Sequence, residues 1–595
     1  MPLISPIEAR TFKGRALHAG IVAVLLLITA STVYPFLVML SGSVRSEFDA
    51  VDLDLVPSYL VDQDTLHRKF LATKYDLDPQ LANTALLRQG FSFTKFPLPE
   101  GSASPEAAEA LAAFLTAPDF PRHWATLGNA YSVRDAPENL RRLQEKLFAR
   151  YDGDLARLSA ESGTLIEDWA LVRLPQPRWL NPGYLLPDGP LEETYFELLQ
   201  QRPAAERVPV SVTGFFLQTV IFPKFGQNDT AAYNAAHAEP LAGYHDFRLP
   251  ERVPGPDQPE LRAEWLSFAR GLLNPSFVVV DGLDDAAWAA HLREQGAAEA
   301  VVAASSAPAG RWLAGREREA YEAYLRGVDP ERLRLVGPEF AWAAEHPDLP
   351  RMQVALAGLE QRFVAENAGS IRWDFLTRNY VNVWNELTVQ GRVLFNTAVF
   401  CLAAILLALL VNPLAAYALS RYRLPSTYKI LLFLIATMAF PPMVTMIPQF
   451  VMLRNLGLLN TFLALVLPLI VNGYMIFLLK GFFDALPQEL YEAATIDGAG
   501  ELRMFFQITM ALSKPILAIL ALGTFTGAYT MFLYPLLVAP DQDMWLMSVW
   551  LFQFQQRSTS AAVFASVVIA SVPTLIVFLF TQRMIMRGIA VPQEK

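Results

Sequence analysis

Residues 484–501 read Asp-Ala-Leu-Pro-Gln-Glu-Leu-Tyr-Glu-Ala-Ala-Thr-Ile-Asp-Gly-Ala-Gly-Glu, and an apolar run lies on either side of them. Pro487 suits the first turn of a helix, where its missing N–H is not needed. Gln488 and Glu489 set polar and negative groups at the positive end of the helix dipole. Leu486, Leu490, Ala493 and Ala494 share one face at i, i+4, i+7 and i+8, and Glu489, Glu492 and Asp497 carry charge on the others. Gly498 is placed to end the helix with a positive φ. A second amphipathic helix is expected after it, with Leu502, Phe505, Phe506 and Met510 on its apolar side. Two short helices joined by a glycine turn, over about 484–514, would cap a helix bundle at a membrane surface. Small alanines and rim carboxylates also suit the close approach of a partner with a basic surface.

Working outward, six apolar runs reach the ~20 residues that span a bilayer as a helix, at about 19–40, 393–420, 428–451, 461–479, 515–538 and 559–580. The first follows Arg10, Lys13 and Arg15, but it is longer than a signal-peptide core and no clear A-x-A site follows. It reads as a retained anchor. The basic residues of the short flanks set the orientation. Arg10, Lys13 and Arg15 precede run 1. Arg421, Arg423 and Lys429 lie between runs 2 and 3, Lys480, Arg503 and Lys514 after run 4, and Arg583, Arg587 and Lys595 after run 6. Against these stand Arg454, and Arg557 with Asp541 and Asp543. All four basic groups share one side when both termini are cytoplasmic. This predicts a cytoplasmic N-terminus (1–18), a first span (19–41), an extracytoplasmic block (42–392) and a membrane core (393–595).

Charge divides the same way. Residues 42–392 hold 34 of the 48 basic and 49 of the 58 acidic side chains, a net of −15, and the remainder carries +5. This composition excludes a disordered chain and a strongly basic nucleic-acid binder. With Cys401 as the single cysteine, no intrachain disulfide can form and a cysteine-based metal site is not expected. Seven prolines fall in the spans: Pro413, Pro441, Pro442, Pro448, Pro468, Pro535 and Pro573. Inside a bundle such kinks are tolerated because freed carbonyls find other partners. They read as bends for packing or as hinges along a pathway.

The external block carries a weak internal repeat, the expectation for small units that stack on their neighbours. Phe70 through Tyr75-Asp76 leads to Leu98-Pro99, Phe148 through Tyr151-Asp152 to Leu174-Pro175, and Phe222 through Phe225-Gly226 to Leu249-Pro250. A fainter copy runs from Tyr324 to Leu349-Pro350. An Asn or Ser follows each of the first three turns: Asn83, Ser159 and Asn234. Each unit reads as a helix, a tight turn, a second helix and an extended exit, in a mostly helical domain. Phe277-Val278-Val279-Val280 reads as a short buried strand. The histidines (His67, His123, His237, His245, His291, His346) show no metal-ligand spacing, and no metal site is predicted.

Glu492-Ala493-Ala494, three residues, Gly498, nine residues, Ile508 resembles the cytoplasmic EAA loop of binding-protein-dependent ABC importer permeases. The terminal Leu and Pro of that pattern are replaced here by Met510 and Ala511. The stretch from Ala415 to Arg423, the Gly457–Thr461 turn, Gly481-Phe482-Phe483 and Ile496-Asp497-Gly498-Ala499 resemble the carbohydrate, maltose-type second-permease subfamily. Pro35 to Leu40 resembles its first span. The resemblance implies an α-helical polytopic membrane protein: six transmembrane helices of the type I ABC importer permease fold, here with a large extracytoplasmic insertion.

It further implies a multi-pass subunit of the bacterial inner membrane, in contact with lipid. Its partners would be a companion permease, two ABC ATPase subunits and an extracytoplasmic solute-binding protein, with no nucleic acid. The chain has no G-x-x-x-x-G-K-[ST], so no cofactor is expected on it. ATP-Mg would be used by the partner ATPases, and the chain would not be an enzyme. The expected coupling residues are Tyr491, Glu492, Ala493, Ala494, Ile496, Asp497, Gly498, Ala499 and Ile508. Gly527, Tyr529, Phe532 and Tyr534 are candidates for the substrate pathway, because aromatic rings stack on sugar faces. The alternatives are a permease for a non-sugar solute, and a membrane-anchored protein whose external block binds or hydrolyses carbohydrate through a carboxylate pair.

Overall fold

A computed structural model describes residues 12–587 except 53, 100–103, 131–136, 167–168, 175–177, 183, 185–188, 238–239, 297–298, 300–301, 303–304, 314, 389–391, 423–424 and 438–440. Arg10, Pro175, Arg423 and Lys595, singled out above, lie outside the described residues. The chain forms two compact units, one comprising the chain up to Ser43 and from Tyr380 onward, the other Val44–Asn379. The second unit stops short of residue 392 because Tyr380, Val383 and Leu387 join an apolar cluster with Met547, Trp550 and Phe554.

Among the described residues of the first unit, three helices are long and apolar enough to cross a membrane: Arg15–Ser43, Val393–Arg421 and Ser560–Gln582. Two bent pairs add to them, Phe462–Leu469 with Gly473–Asp484 at 50°, and Glu501–Leu512 with Lys514–Thr530 at 84°. Residues 438–440 of the third run lie outside the described residues. The third run holds two helices, Thr427–Thr437 and Pro442–Asn455, the second opening on Pro442 at its first turn. The run expected at 515–538 is not one helix. It ends at Thr530, Met531 is extended, and a short helix Leu533–Val538 restarts the chain. Pro535 has no N–H for the Met531 carbonyl, and its ring would clash with that carbonyl in a continuous helix.

The bend in the fourth run is held by one side chain from the second. Asn412, fully buried in helix Val393–Arg421, donates from Nδ2 to the Ile470 carbonyl (2.9 Å) and accepts from the Asn472 N–H (2.8 Å). Those are backbone groups that the break at 470–472 removes from the helical ladder. In lipid each would otherwise cost several kcal/mol.

The unit Val44–Asn379 is built from a recurring chain path. The first pass runs Gln63–Lys74, a turn, Pro79–Leu86, a 3₁₀ turn, Pro105–Thr116, a second 3₁₀ turn and strand β1 (Ala125–Leu127). The second runs Glu138–Arg150, Leu155–Ser162, Pro190–Gln201 and strand β2 (Arg207–Pro209), and the third begins at Val212 and ends in strand β3 (Val278–Val280). A shorter fourth pass, Asp285–Glu294 and Gly315–Gly327, ends in strand β4 (Leu333–Leu335). β1 pairs antiparallel with β2 (Thr126 opposite Val208) and β3 with β4 (Val279 opposite Arg334). Val278–Val280 is thus half of a two-stranded ribbon, and three further strands of three residues were not legible in the sequence.

Each of the first three turns has its first helix end on a residue with positive φ: Asp76 and Leu77, Asp152 and Gly153, and Gly226. The polar residue that follows closes the same seven-residue loop in each of the first three passes. Asn83 exchanges hydrogen bonds with Gly90 (2.9 and 2.8 Å), Asn234 does so with Leu241 (2.9 and 2.8 Å), and Ser159 Oγ accepts from the Ile166 N–H (3.1 Å). The fainter copy at Tyr324–Pro350 is out of phase. Tyr324 lies in the last helix before β4, so that window straddles two passes.

Two apolar clusters fill this unit. One surrounds Trp265, Phe268, Trp288 and Tyr321, the other Tyr59, Tyr75, Leu111 and Trp342. Two buried ion pairs tie distant segments together: Lys69–Asp49 (2.8 Å) and Lys74–Glu360 (2.5 Å). Tyr75 donates to the same Glu360 oxygen (2.7 Å). Removing one partner of such a pair leaves a buried charge, at a cost of about 3–5 kcal/mol.

Candidate functional site

The segment between the bent fourth run and Lys514 folds as a helix, Glu489–Ile496, a glycine turn, and a second helix from Glu501 with a π-turn at Phe505–Thr509. Pro487 sits just ahead of the first helix rather than in it. Gly498 has φ +76°. The Ala499 N–H reaches the Ala494 carbonyl (2.9 Å) and the Gly498 N–H the Thr495 carbonyl (3.0 Å), which is the Schellman pattern of helix termination. A Cβ on Gly498 would meet nothing within 4 Å, so glycine is required by the backbone angle and not by packing.

One face of the first helix is fastened. Tyr491 is 6% exposed, and the guanidinium of Arg421, from the end of helix Val393–Arg421, lies 3.4 Å from its ring centroid. The Tyr491 hydroxyl bonds Thr509 Oγ1 (2.8 Å), and Arg421 also donates to the Phe483 carbonyl (3.1 Å). Tyr417 donates to Glu501 (2.8 Å) and Ser420 to Asp484 (2.7 Å). Met504 and Phe505 close the contact from the second helix. The loop is therefore clasped at both ends to one transmembrane helix.

The opposite face is open. Glu492, Ala493 and Asp497 are exposed, Leu490 is 42% exposed and Ile496 is 86% exposed. Leu490, expected on the inward face, points outward because Tyr491, one residue and about 100° further on, takes the inward position. The second helix departs from expectation more strongly. Leu502 (70% exposed) and Phe506 (53%) face away, and Phe505 and Thr509 are buried. The π-turn inserts a residue into the helical cycle and rotates the apolar face predicted from a regular 3.6-residue period. Ala494, Ala499 and Ile508 are half-buried at the edge of the clasp. Exposed aliphatic and aromatic groups beside exposed carboxylates form a surface able to seat another protein.

The pathway candidates separate. Gly527 is exposed, with open space at its Cα. Tyr529 donates to the Ala570 carbonyl (2.6 Å), and Tyr534, 7% exposed, donates to the Ala464 carbonyl (2.8 Å). Both hydroxyls therefore join helices. Phe532 pairs with Phe552 at 5.1 Å. Phe532 and Tyr534 lie beyond the break at Met531, so the four do not share one helix. Among the described residues no group of His, Cys, Asp and Glu side chains is arranged to hold a metal ion.

Residues 393–591 match the family described as binding-protein-dependent transport system inner membrane component. The chain is 33% identical over 219 residues to the diacetylchitobiose uptake system permease protein of Streptomyces coelicolor, a match covering 36% of this chain and 72% of that protein. The chain belongs to the binding-protein-dependent transport system inner membrane component family. It is likewise 33% identical over 231 residues to the sn-glycerol-3-phosphate transport system permease protein of Yersinia pestis, covering 37% of this chain and 81% of that protein. A crystal structure of a bacterial ABC transporter involved in the import of the acidic polysaccharide alginate matches at 23% identity with a TM-score of 0.31, covering 34% of this chain and 78% of the other.

As a member of this family the permease is a multi-pass inner-membrane transport component and not an enzyme. Tyr417, Arg421, Glu501 and Thr509, which hold the loop in place, stand outside the coupling set expected from the sequence. Arg421 appears there only among the basic flanks and, with Tyr417, in a stretch of family likeness. An arginine and a tyrosine four residues apart at the end of a span, Tyr417 and Arg421, share a helix face. That spacing was the available signal.

Proposed function

We propose that this chain is the sugar permease subunit of an ATP-driven ABC importer, and that its 484–514 loop couples closure of partner ATPases to opening of the pore. The observation that carries the coupling role is the two-faced loop. Tyr491 is fastened to the transmembrane helix while Leu490, Glu492, Ala493, Ile496 and Asp497 are presented to solvent. Force applied to the open face passes through Tyr491 and Arg421 into helix Val393–Arg421. That same helix holds the bent fourth span through Asn412.

In this reading two ATPase subunits lie on the cytoplasmic side with ATP-Mg, a companion permease completes the pore and a solute-binding protein delivers substrate from outside. Both termini are cytoplasmic, six spans cross the membrane, and residues 42–392 are extracytoplasmic, as the basic flanks favour. Gly527 remains a candidate for the substrate path, and Tyr529, Phe532 and Tyr534 support its walls. Sugar as the solute is supported by the Ile496-Asp497-Gly498-Ala499 form of the loop and by the diacetylchitobiose permease relative. The test is uptake by the assembled complex in lipid vesicles against a panel of sugars and sn-glycerol 3-phosphate, with ATP hydrolysis recorded in parallel. ATP-dependent accumulation of a sugar is expected. Accumulation of only the phosphate ester, or of nothing, overturns the sugar assignment.

A further inference from the structure

Between the first and third passes of the unit Val44–Asn379 lies a cavity of about 460 Å³, within the ~300–1,000 Å³ usual for small-molecule sites. Its walls come from helix Pro79–Leu86, the β1–β2 ribbon, the 178–181 turn and the helix that starts at Val212. These walls are fixed. Gly214 lets the third pass approach the first so closely that a Cβ there would lie 2.1 Å from the Thr84 carbonyl oxygen. The buried Asn274 holds the 178–181 turn from behind, its Nδ2 on the Asn181 carbonyl (3.1 Å) and its N–H on the Leu180 carbonyl (2.8 Å).

The lining combines two aromatic rings, Trp179 and Phe215, with three amides, Gln80, Asn181 and Gln218. Among the described residues no partner is found for these three side-chain amides. The charged residues of the lining offset each other: one carboxylate, Asp78, which already caps the Gln80 N–H (2.9 Å), and one guanidinium, Arg178. An amide offers a donor and an acceptor in one plane, which suits pairs of adjacent hydroxyls, and the half-buried Phe215 ring offers an apolar face, with Trp179 packed behind the wall against Phe196 and Trp312. A charged ligand would find no net counter-charge here.

We propose that this cavity binds a neutral saccharide, giving the inserted block a sugar site separate from the membrane pore. The proposal stands on these residues and not on the transport reading. The test uses the full chain copurified with its companion permease. Binding of maltose, cellobiose and N,N′-diacetylchitobiose is titrated by calorimetry and tryptophan fluorescence, with sn-glycerol 3-phosphate as the charged comparison. Saturable binding of a neutral sugar is expected, weakened about 5–10-fold by Asn181→Ala and by Gln218→Ala, roughly one hydrogen bond each, with unfolding midpoints unchanged. Three results each overturn the proposal: no saturable binding by any of the three sugars, affinity unaltered in both variants, or preference for the phosphate ester. Vesicle uptake is scored separately. Uptake without this binding refutes the site and leaves the permease reading intact, and binding without uptake does the reverse.

Discussion

The guanidinium of Arg421 lies 3.4 Å from the centre of the Tyr491 ring, joining the C-terminal end of helix Val393–Arg421 to the helix of the 484–514 loop. A cation over an aromatic face contributes about 0.5–2 kcal/mol. Arg421→Ala should therefore leave the subunit folded but lower substrate-stimulated ATP hydrolysis in reconstituted complexes by roughly 3–10-fold. Arg421→Lys should fall between, because a lysine keeps the charge without the planar stack. Tyr491→Phe keeps the ring, loses only the Thr509 bond, and should be the mildest of the three. Equal activity in all three would remove the clasp from the coupling path.

Gly498 is constrained by its φ of +76° alone. Gly498→Val should abolish transport or ATPase retention, since a β-branched residue resists the left-handed region. Gly498→Asn should keep most activity, because asparagine tolerates that region. Complex pull-down and uptake assays distinguish the two. Full transport by the valine variant would sink the coupling assignment.

Asn412 satisfies both backbone groups freed at the bend of the fourth span. Asn412→Leu leaves the Ile470 carbonyl and the Asn472 N–H unpartnered by that side chain, at about 1–3 kcal/mol for each buried group. The expected outcome is a lower unfolding temperature in detergent and faster proteolysis near 470–472. An unchanged melting curve would show that the bend is held by other means.

Acid should destabilise the unit Val44–Asn379 through two buried histidines. Burial pushes His67 down to about 4, and burial pushes His123 down to about 4 against a contribution from the Gly310 backbone. Nε2 of each has no partner among the described residues. Because the unfolded chain takes up these protons at about 6.5, stability is full above pH 6.5 and declines as the pH falls to about 4. Each histidine contributes at most about 3 kcal/mol. Unfolding followed by tryptophan fluorescence across that range should show the decline, and His67→Gln with His123→Gln should flatten it.

Orientation is tested by labelling. With Cys401 replaced, a cysteine at the exposed Asp257 should react with an impermeant thiol reagent on intact cells, and one at the exposed Glu501 should not. The reverse pattern would contradict the topology drawn from the basic flanks.

Features that depend on local chemistry could be read from the chain alone. Apolar runs mark the uninterrupted helices Arg15–Ser43, Val393–Arg421 and Ser560–Gln582, but not the bends that divide the runs at 461–479 and 515–538. Gly498 announces a helix end because only glycine takes its backbone angle without strain. Asn83 and Asn234 follow their turns at a spacing that reflects a loop closed within seven residues. Contacts between distant segments decided the rest. Whether Leu490 or Tyr491 turned inward depended on Arg421, about 70 residues earlier, offering a cation to the ring. Phe506 faces solvent because the π-turn places Phe505 against Tyr417. Strands of three residues carry too little pattern to be seen until β1 meets β2 across some 80 residues of chain. A hydrophobic period specifies that a face is buried. Which side chain occupies that face is set by the partner it meets, and that partner is present only once the chain has folded.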